Sequence, residues 1–128
     1  MKNAKKAGIW MDHTSANVME IIDNFIITTN IKSAVGTDRY SLIVGKDDTH
    51  QQMKSQQQLV DYYNELAEII LKFDEIVLFG PTDAKTELLN ILKDDKKFDD
   101  KMIFLQTTDK LTNNQKNAFV SEFFSSEA

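Results

Sequence analysis

The run EIVLF at residues 75–79 most constrains this chain, because it is apolar without a break from Ile76 and stops at Gly80-Pro81. A strand with no polar face must be covered on both sides, which places it inside a sheet rather than at its rim. Helical patterns flank it. Upstream, Leu59, Tyr63, Leu66, Ile70 and Phe73 recur at steps of three and four, one apolar stripe along a helix. Ser55 with Gln58 three residues on has the form of a capping box, so this helix is expected to start at Ser55. Downstream, Ala84, Leu88, Ile91 and Leu92 share one helical face, and Thr82 or Asp83 can cap it. A helix–strand–helix series of this kind makes right-handed crossovers between parallel strands.

The remaining elements complete the sheet. AGIWMD (residues 7–12) reads as a strand buried on both faces, and ANVMEII (16–22) and FIITTNI (25–31) as two more. Short turns join them, with Asp23 and Asn24 at the second, so the three should be antiparallel neighbours. KMIFLQ (101–106) is a last strand. Thr112 and Gln115 form a second capping box, opening a terminal helix with Phe119, Val120, Phe123 and Phe124. YSLIV (40–44) could add a short strand or extend the third. The expected order is β-β-β-α-β-α-β-α: an α/β fold with a mixed five-stranded sheet covered by helices, the element order of ribonuclease-H-like folds. A length of 128 residues suits one domain, residues 1–128.

Composition removes several classes of function. There is no cysteine, hence no disulfide, thiolate metal site or thiol nucleophile. MKNAKK leads into no apolar segment long enough for a signal peptide or membrane span, so a soluble, cytoplasmic protein without a membrane partner is expected. The formal net charge of −5 argues against broad binding to phosphate backbone, although Lys2, Lys5 and Lys6 form a local basic cluster that reads foremost as a solvated terminus.

Individual constellations assign no activity. Asp12 ends the first strand, where a two-metal nuclease would place an acid, but Glu65 and Glu68 lie off the apolar stripe and Asp83 reads as a cap. His13 and His50 are far apart with no ligand spacing, so no metal is expected, and no cofactor motif is present. Ser15 and Ser55 sit at turn and cap positions rather than in a nucleophile motif. Gly80, Thr82 and Lys85 are the best anion or ligand candidates, a turn feeding a helix N-terminus with a lysine one turn on. Trp10, Phe119, Phe123 and Phe124 have core spacing, with base stacking as the alternative for Trp10. Phe124 could also support a homodimer if left exposed.

Five segments together go beyond fold class: AGIWMDHTSANVMEI, a polar loop with His50, QQLVDYYNELAEII, EIVLFGPTDAKTELLNIL and TTDKLTNNQKNAFVSEFF. This pattern resembles the middle domain of the archaeo-eukaryotic release factor and Pelota superfamily, above all its small bacterial relatives, the release-factor-like or translational-machinery-like proteins. FGPTDAKTEL and DKLTNNQKNAFV carry the most specific part of the likeness. The resemblance implies a ribonuclease-H-like fold and association with the ribosome, RNA or translation factors. In release factors a Gly-Gly-Gln motif precedes the first long helix and its glutamine helps water attack the ester. The matching segment here, QQMKSQQQ (51–58), has glutamines and no glycine pair. Glycines permit backbone shapes that other residues resist, so ester hydrolysis is not expected.

The leading expectation is a non-enzymatic translation-associated protein. It would bind through a mobile loop at residues 45–58, with Lys46, His50, Gln52, Lys54, Gln57 and Gln58 as contacts, and through the Lys2–Lys6 arm. Alternatives are an enzyme, either a residual peptidyl-tRNA hydrolase using Gln57 or Gln58 or a metal-dependent nuclease using Asp12, and a small-ligand or protein-interaction module at Gly80–Lys85.

Overall fold

In the computed structural model the backbone is described for residues 4–23, 25–33 and 48–125, and side chains for the same residues except 48–55. Tyr40–Val44, read above as a further strand, lies outside the described residues. The elements are β1 (Lys6–Met11), β2 (Ser15–Ile22), β3 (Phe25–Lys32), α1 (Asp48–Ile70), β4 (Glu75–Gly80), α2 (Ala84–Lys93), a 3-10 turn (Lys96–Phe98), β5 (Met102–Thr107) and α3 (Asn113–Ser125). The sheet runs β3-β2-β1-β4-β5. β1 pairs antiparallel with β2 and parallel with β4, and β4 pairs parallel with β5. This is the mixed, ribonuclease-H-like arrangement expected from the order of the elements. Asp23 holds the β2–β3 turn in the left-handed region at φ 55°, a conformation that Asp and Asn tolerate better than most residues.

Alternation along β1 divides the core in two. Ala7, Ile9 and Met11 face one way, with Ile76 and Leu78 of β4, and meet Tyr62, Tyr63, Leu66 and Ile70 of α1 and Leu88 and Leu92 of α2. Trp10, Val77 and Phe79 face the other way and meet Val120 and Phe124 of α3. The two central strands are therefore buried throughout after their first residues, Lys6 and Glu75, while the edge strand β3 buries only Ile31.

Two expectations change here and one pair of alternatives is resolved. First, α1 begins at Asp48, not at Ser55, so Ser55 is an interior residue and residues 48–58 form helix rather than loop. The stretch from Asp48 holds no Gly or Pro and is rich in Gln, Met and Lys, which carry little helix penalty. Second, of the two cap candidates Asp83 holds the cap position, its carbonyl accepting from the Thr86 and Glu87 amides with no side-chain cap, while Thr82 Oγ1 accepts from the Ala84 amide at 3.3 Å. Third, Phe124 is only 6% exposed, so it offers no apolar patch to a second copy. The Thr112–Gln115 capping box stands as expected. The Gln115 amide donates to Thr112 Oγ1 at 3.2 Å, and the Thr112 amide donates to Gln115 Oε1 at 2.8 Å.

Candidate functional site at the carboxyl edge of the parallel strands

Parallel strands end together, and the crevice beyond their carboxyl ends is where open α/β sheets place ligands. Here that edge is formed by the residues after Met11, Gly80 and Thr107. Gly80 has φ +149°, and a β-carbon on it would collide with the Met11 carbonyl oxygen. Only glycine lets β4 finish that close to β1.

Asp12 folds the chain back at this edge. Its Oδ1 accepts from the Thr14 amide, the Thr14 hydroxyl and the Ser15 amide at 2.8, 2.9 and 2.9 Å. Partial burial pushes its carboxyl pKa up, but these hydrogen bonds prevail and hold it below the usual value. Tyr62 donates to the Asp12 carbonyl at 2.9 Å. Next to it, Tyr63 donates to Glu87 Oε1 at 2.6 Å, and His13 Nε2 lies 3.2 Å from the same oxygen. Desolvation drives both tyrosine hydroxyls well above their ordinary pKa, with Asp12 adding at Tyr62 and the Glu87 hydrogen bond adding at Tyr63. Both phenols are therefore fixed donors, tying α1 to the β1 end and to α2.

The predicted acids do not converge. Glu65 and Glu68 are exposed on α1, and one oxygen of Asp12 is committed to its turn. Among the described residues no three His, Cys, Asp or Glu side chains form a group that could hold a metal ion. Gly80, Thr82 and Lys85 are neighbours at the edge, but Lys85 is 1% exposed and its Nζ donates to the Thr82 carbonyl at 2.5 Å. In this conformation the ammonium is turned inward beneath α2.

Of the binding residues expected before α1, Lys46 lies outside the described residues. His50, Gln52 and Lys54 lie on the amino-terminal half of α1. Gln57 is exposed and donates to Asp61 at 3.0 Å, and Gln58 is half-buried. The described lysines of the Lys2–Lys6 arm, Lys5 and Lys6, lie away from this surface. Lys2 lies outside the described residues, and Lys6 begins β1 at the opposite end of the sheet, 5.7 Å above the Phe124 ring.

On the α3 face, Trp10 is core as expected, with 8% exposure. Its ring also carries Lys116 Nζ at 3.6 Å from the centroid, a contact absent from the sequence reading. Lys116 stands four residues before Val120 and eight before Phe124, so it occupies the buried stripe of α3. That spacing was the available signal.

No protein-family profile matches the chain, and no curated protein matches it in sequence. Solved structures do match. The Pelota protein of Thermoplasma acidophilum aligns with 92% of this chain at 12% identity, TM-score 0.62, over 32% of its own length. Archaeoglobus fulgidus Pelota aligns with 98% at 10% identity, TM-score 0.57, over 36% of its length. A Saccharomyces cerevisiae translation termination-like factor involved in RNA quality control pathways aligns with 94% at 14% identity, TM-score 0.57, over 33% of its length. The chain thus spans about a third of each of these proteins and shares their fold over that third, as the sequence resemblance implied.

Proposed function

We propose that this chain is a translation-associated protein that binds the ribosome or its RNA through the amino-terminal end of α1, and that it does so without ester hydrolysis. The observation carrying this reading is the length of α1, which begins well before its first described core-packed residue, Leu59. The helix has 23 residues, a length of about 35 Å, whereas a six-residue strand such as β1 covers about 20 Å. Tyr62 is hydrogen-bonded at the carboxyl end of β1, and the helix then runs back across the sheet towards the start of β4. The turns from Asp48 to Gln57 precede Leu59, which packs against the core, and add about 15 Å of helix. This segment matches the place where release factors carry Gly-Gly-Gln, and it holds His50, Gln52, Lys54, Gln57 and Gln58, with Lys46 just before the helix. A helix end bearing amides and a lysine, with Lys46 two residues before it in sequence, suits contact with RNA phosphates and base edges. The likeness to proteins described as translation termination and RNA quality control factors supports the same reading. The cytoplasmic, bacterial setting belongs to this proposal, and among the described residues no helix is long and apolar enough to cross a membrane.

Ribosome co-sedimentation of the tagged chain at low and then moderate salt tests it. Retention should weaken with salt, as for any contact made by lysines on phosphate, and should fall in Lys46→Glu/Lys54→Glu. Absence from every ribosomal fraction would overturn the proposal. Retention that ignores both substitutions would move the contact off α1. Turnover of peptidyl-tRNA lost in Gln57→Ala or Gln58→Ala would favour an enzyme instead.

A further inference from the structure

On the face opposite α1, a recess of about 220 Å³ opens between β2, β3 and the first turns of α3. Its polar lining is Asn17, Thr28, Asn30, Asn113, Lys116 and Asn117, with no carboxylate among them. Lys116 is only 9% exposed. Its Nζ donates to Asn17 Oδ1 at 2.7 Å and lies over the Trp10 ring. Among the described residues no carboxylate lies within ion-pair distance of it.

The hydrogen bonds set the polarity of this recess. Asn17 gives its oxygen to Lys116, so its Nδ2 faces the other way and donates to Asn30 Oδ1 at 2.7 Å. Asn30 has then used its oxygen, and its NH₂ is the free end of the chain. A lysine ammonium has three protons and an asparagine amide two. The chain Lys116–Asn17–Asn30 therefore ends in donors at both ends, with two further amides and the Thr28 hydroxyl beside it. The first turn of α3 adds the positive end of its dipole. The ammonium touches only an amide oxygen and a ring face, the Asp12 carboxylate attracting it from beyond ion-pair distance, whereas buried charges are ordinarily paired in contact. A ligand bearing negative oxygens supplies what is missing.

We propose that this recess binds a small oxyanion of the phosphate type, either free or as a monoester, with the Lys116 ammonium and the Asn30 amide as its principal donors. The volume is about seven times a water molecule's share of the liquid, room for a phosphate group with part of its ester. The site is independent of the α1 surface and stands or falls separately from it.

The test follows the side-chain amide signals of the full chain by nitrogen–proton correlation NMR. Sodium phosphate is titrated against sodium chloride of equal ionic strength. The Nδ2 protons of Asn17, Asn30, Asn113 and Asn117 should shift with one saturating midpoint in phosphate alone. Lys116→Gln should raise that midpoint roughly tenfold or more, as expected for loss of a charged hydrogen bond. Lys97→Gln, at a surface position, should leave it unchanged. If Lys116→Gln does not fold, Asn30→Ala is read in its place, with a weakened midpoint again expected. Adenosine monophosphate in a parallel titration separates the sources: a lower midpoint than orthophosphate indicates an ester, and an equal one the free ion. Shifts that do not saturate, that chloride reproduces, or that survive the substitution overturn the proposal. So do shifts caused by a short RNA when neither small probe has any effect.

Discussion

Gly8→Ala should destabilise the protein by wedging α3 away from the sheet, even though alanine is the milder residue in almost any strand. Gly8 lies mid-β1. A β-carbon there would run into one γ-methyl of Val120 and come within 3.1 Å of the other. Val120 has no exposed surface, and it is β-branched, so rotating it brings one methyl in as the other leaves. Relief requires backbone movement. One inserted methyl in a filled core costs about 1–3 kcal/mol, and the reduced freedom of the unfolded chain returns about 0.4–1 kcal/mol. The expected net loss is about 1–2 kcal/mol. With an unfolding entropy of about 2.1 cal/mol/K per residue, a chain of this length should lose about 4–8 °C in Tm. Val120→Ala alone removes two methyls, about 1.5 kcal/mol of transfer energy, plus a cavity term. In the double variant the new methyl occupies the vacated space, so its cost should fall short of the sum by about 1–2 kcal/mol. Urea unfolding of the four proteins gives the cycle. Trp10 is the single tryptophan and sits under Lys116 on the same helix, so its emission should shift in Gly8→Ala and return in the double variant. Additivity within about 0.5 kcal/mol, or a Gly8→Ala protein as stable as the parent, would refute the reasoning.

Two further outcomes follow from the carboxyl edge. The Asp12 carboxyl is held below its unfolded pKa, so its contribution to stability is present above the ordinary aspartate value and fades as pH falls through the folded one. Asp12→Asn should therefore differ from the parent in urea midpoint at neutral pH and converge with it in acid; a constant gap would contradict this. Tyr62 and Tyr63 are held neutral above their unfolded pKa, so the fold should lose stability as pH rises past about 10. Tyr62→Phe/Tyr63→Phe should remove that loss and delete the late, high-pH component of the tyrosinate absorbance. An unchanged titration curve would show that the two phenols ionise normally.

The sheet was legible because each of its strands is a short run bounded by turn residues, and the two crossovers left one handedness to choose from. The start of α1 was not. Ser55 and Gln58 have the spacing of a capping box, but the box needs the Ser55 backbone to leave the helix. Nothing in residues 48–54 interrupts the helix upstream, since no Gly, Pro or β-rich run occurs between Asp48 and Ser55. A local signature thus lost to continuous propensity. A segment expected to be a loop is thereby part of a helix from Asp48 onward.

The side-chain chemistry was legible only where it follows a helix period. Lys85 stands three residues before Leu88 and seven before Leu92, and Lys116 four before Val120 and eight before Phe124. Each lysine thus lies on a buried stripe, where a long side chain can pack its methylenes and bring its ammonium to a local acceptor. For Lys85 the acceptor is the Thr82 carbonyl of its own turn, which only helix geometry is needed to foresee. For Lys116 it is Asn17, 99 residues away in sequence, and no pattern along α3 could name it. The same holds for Tyr63, His13 and Glu87, which three separate elements bring to one oxygen. A lysine on an apolar stripe therefore marks a position worth inspection in a chain like this one. Whether it closes on its own turn or opens onto a recess depends on what the sheet places opposite, and here Lys85 does the first and Lys116 the second.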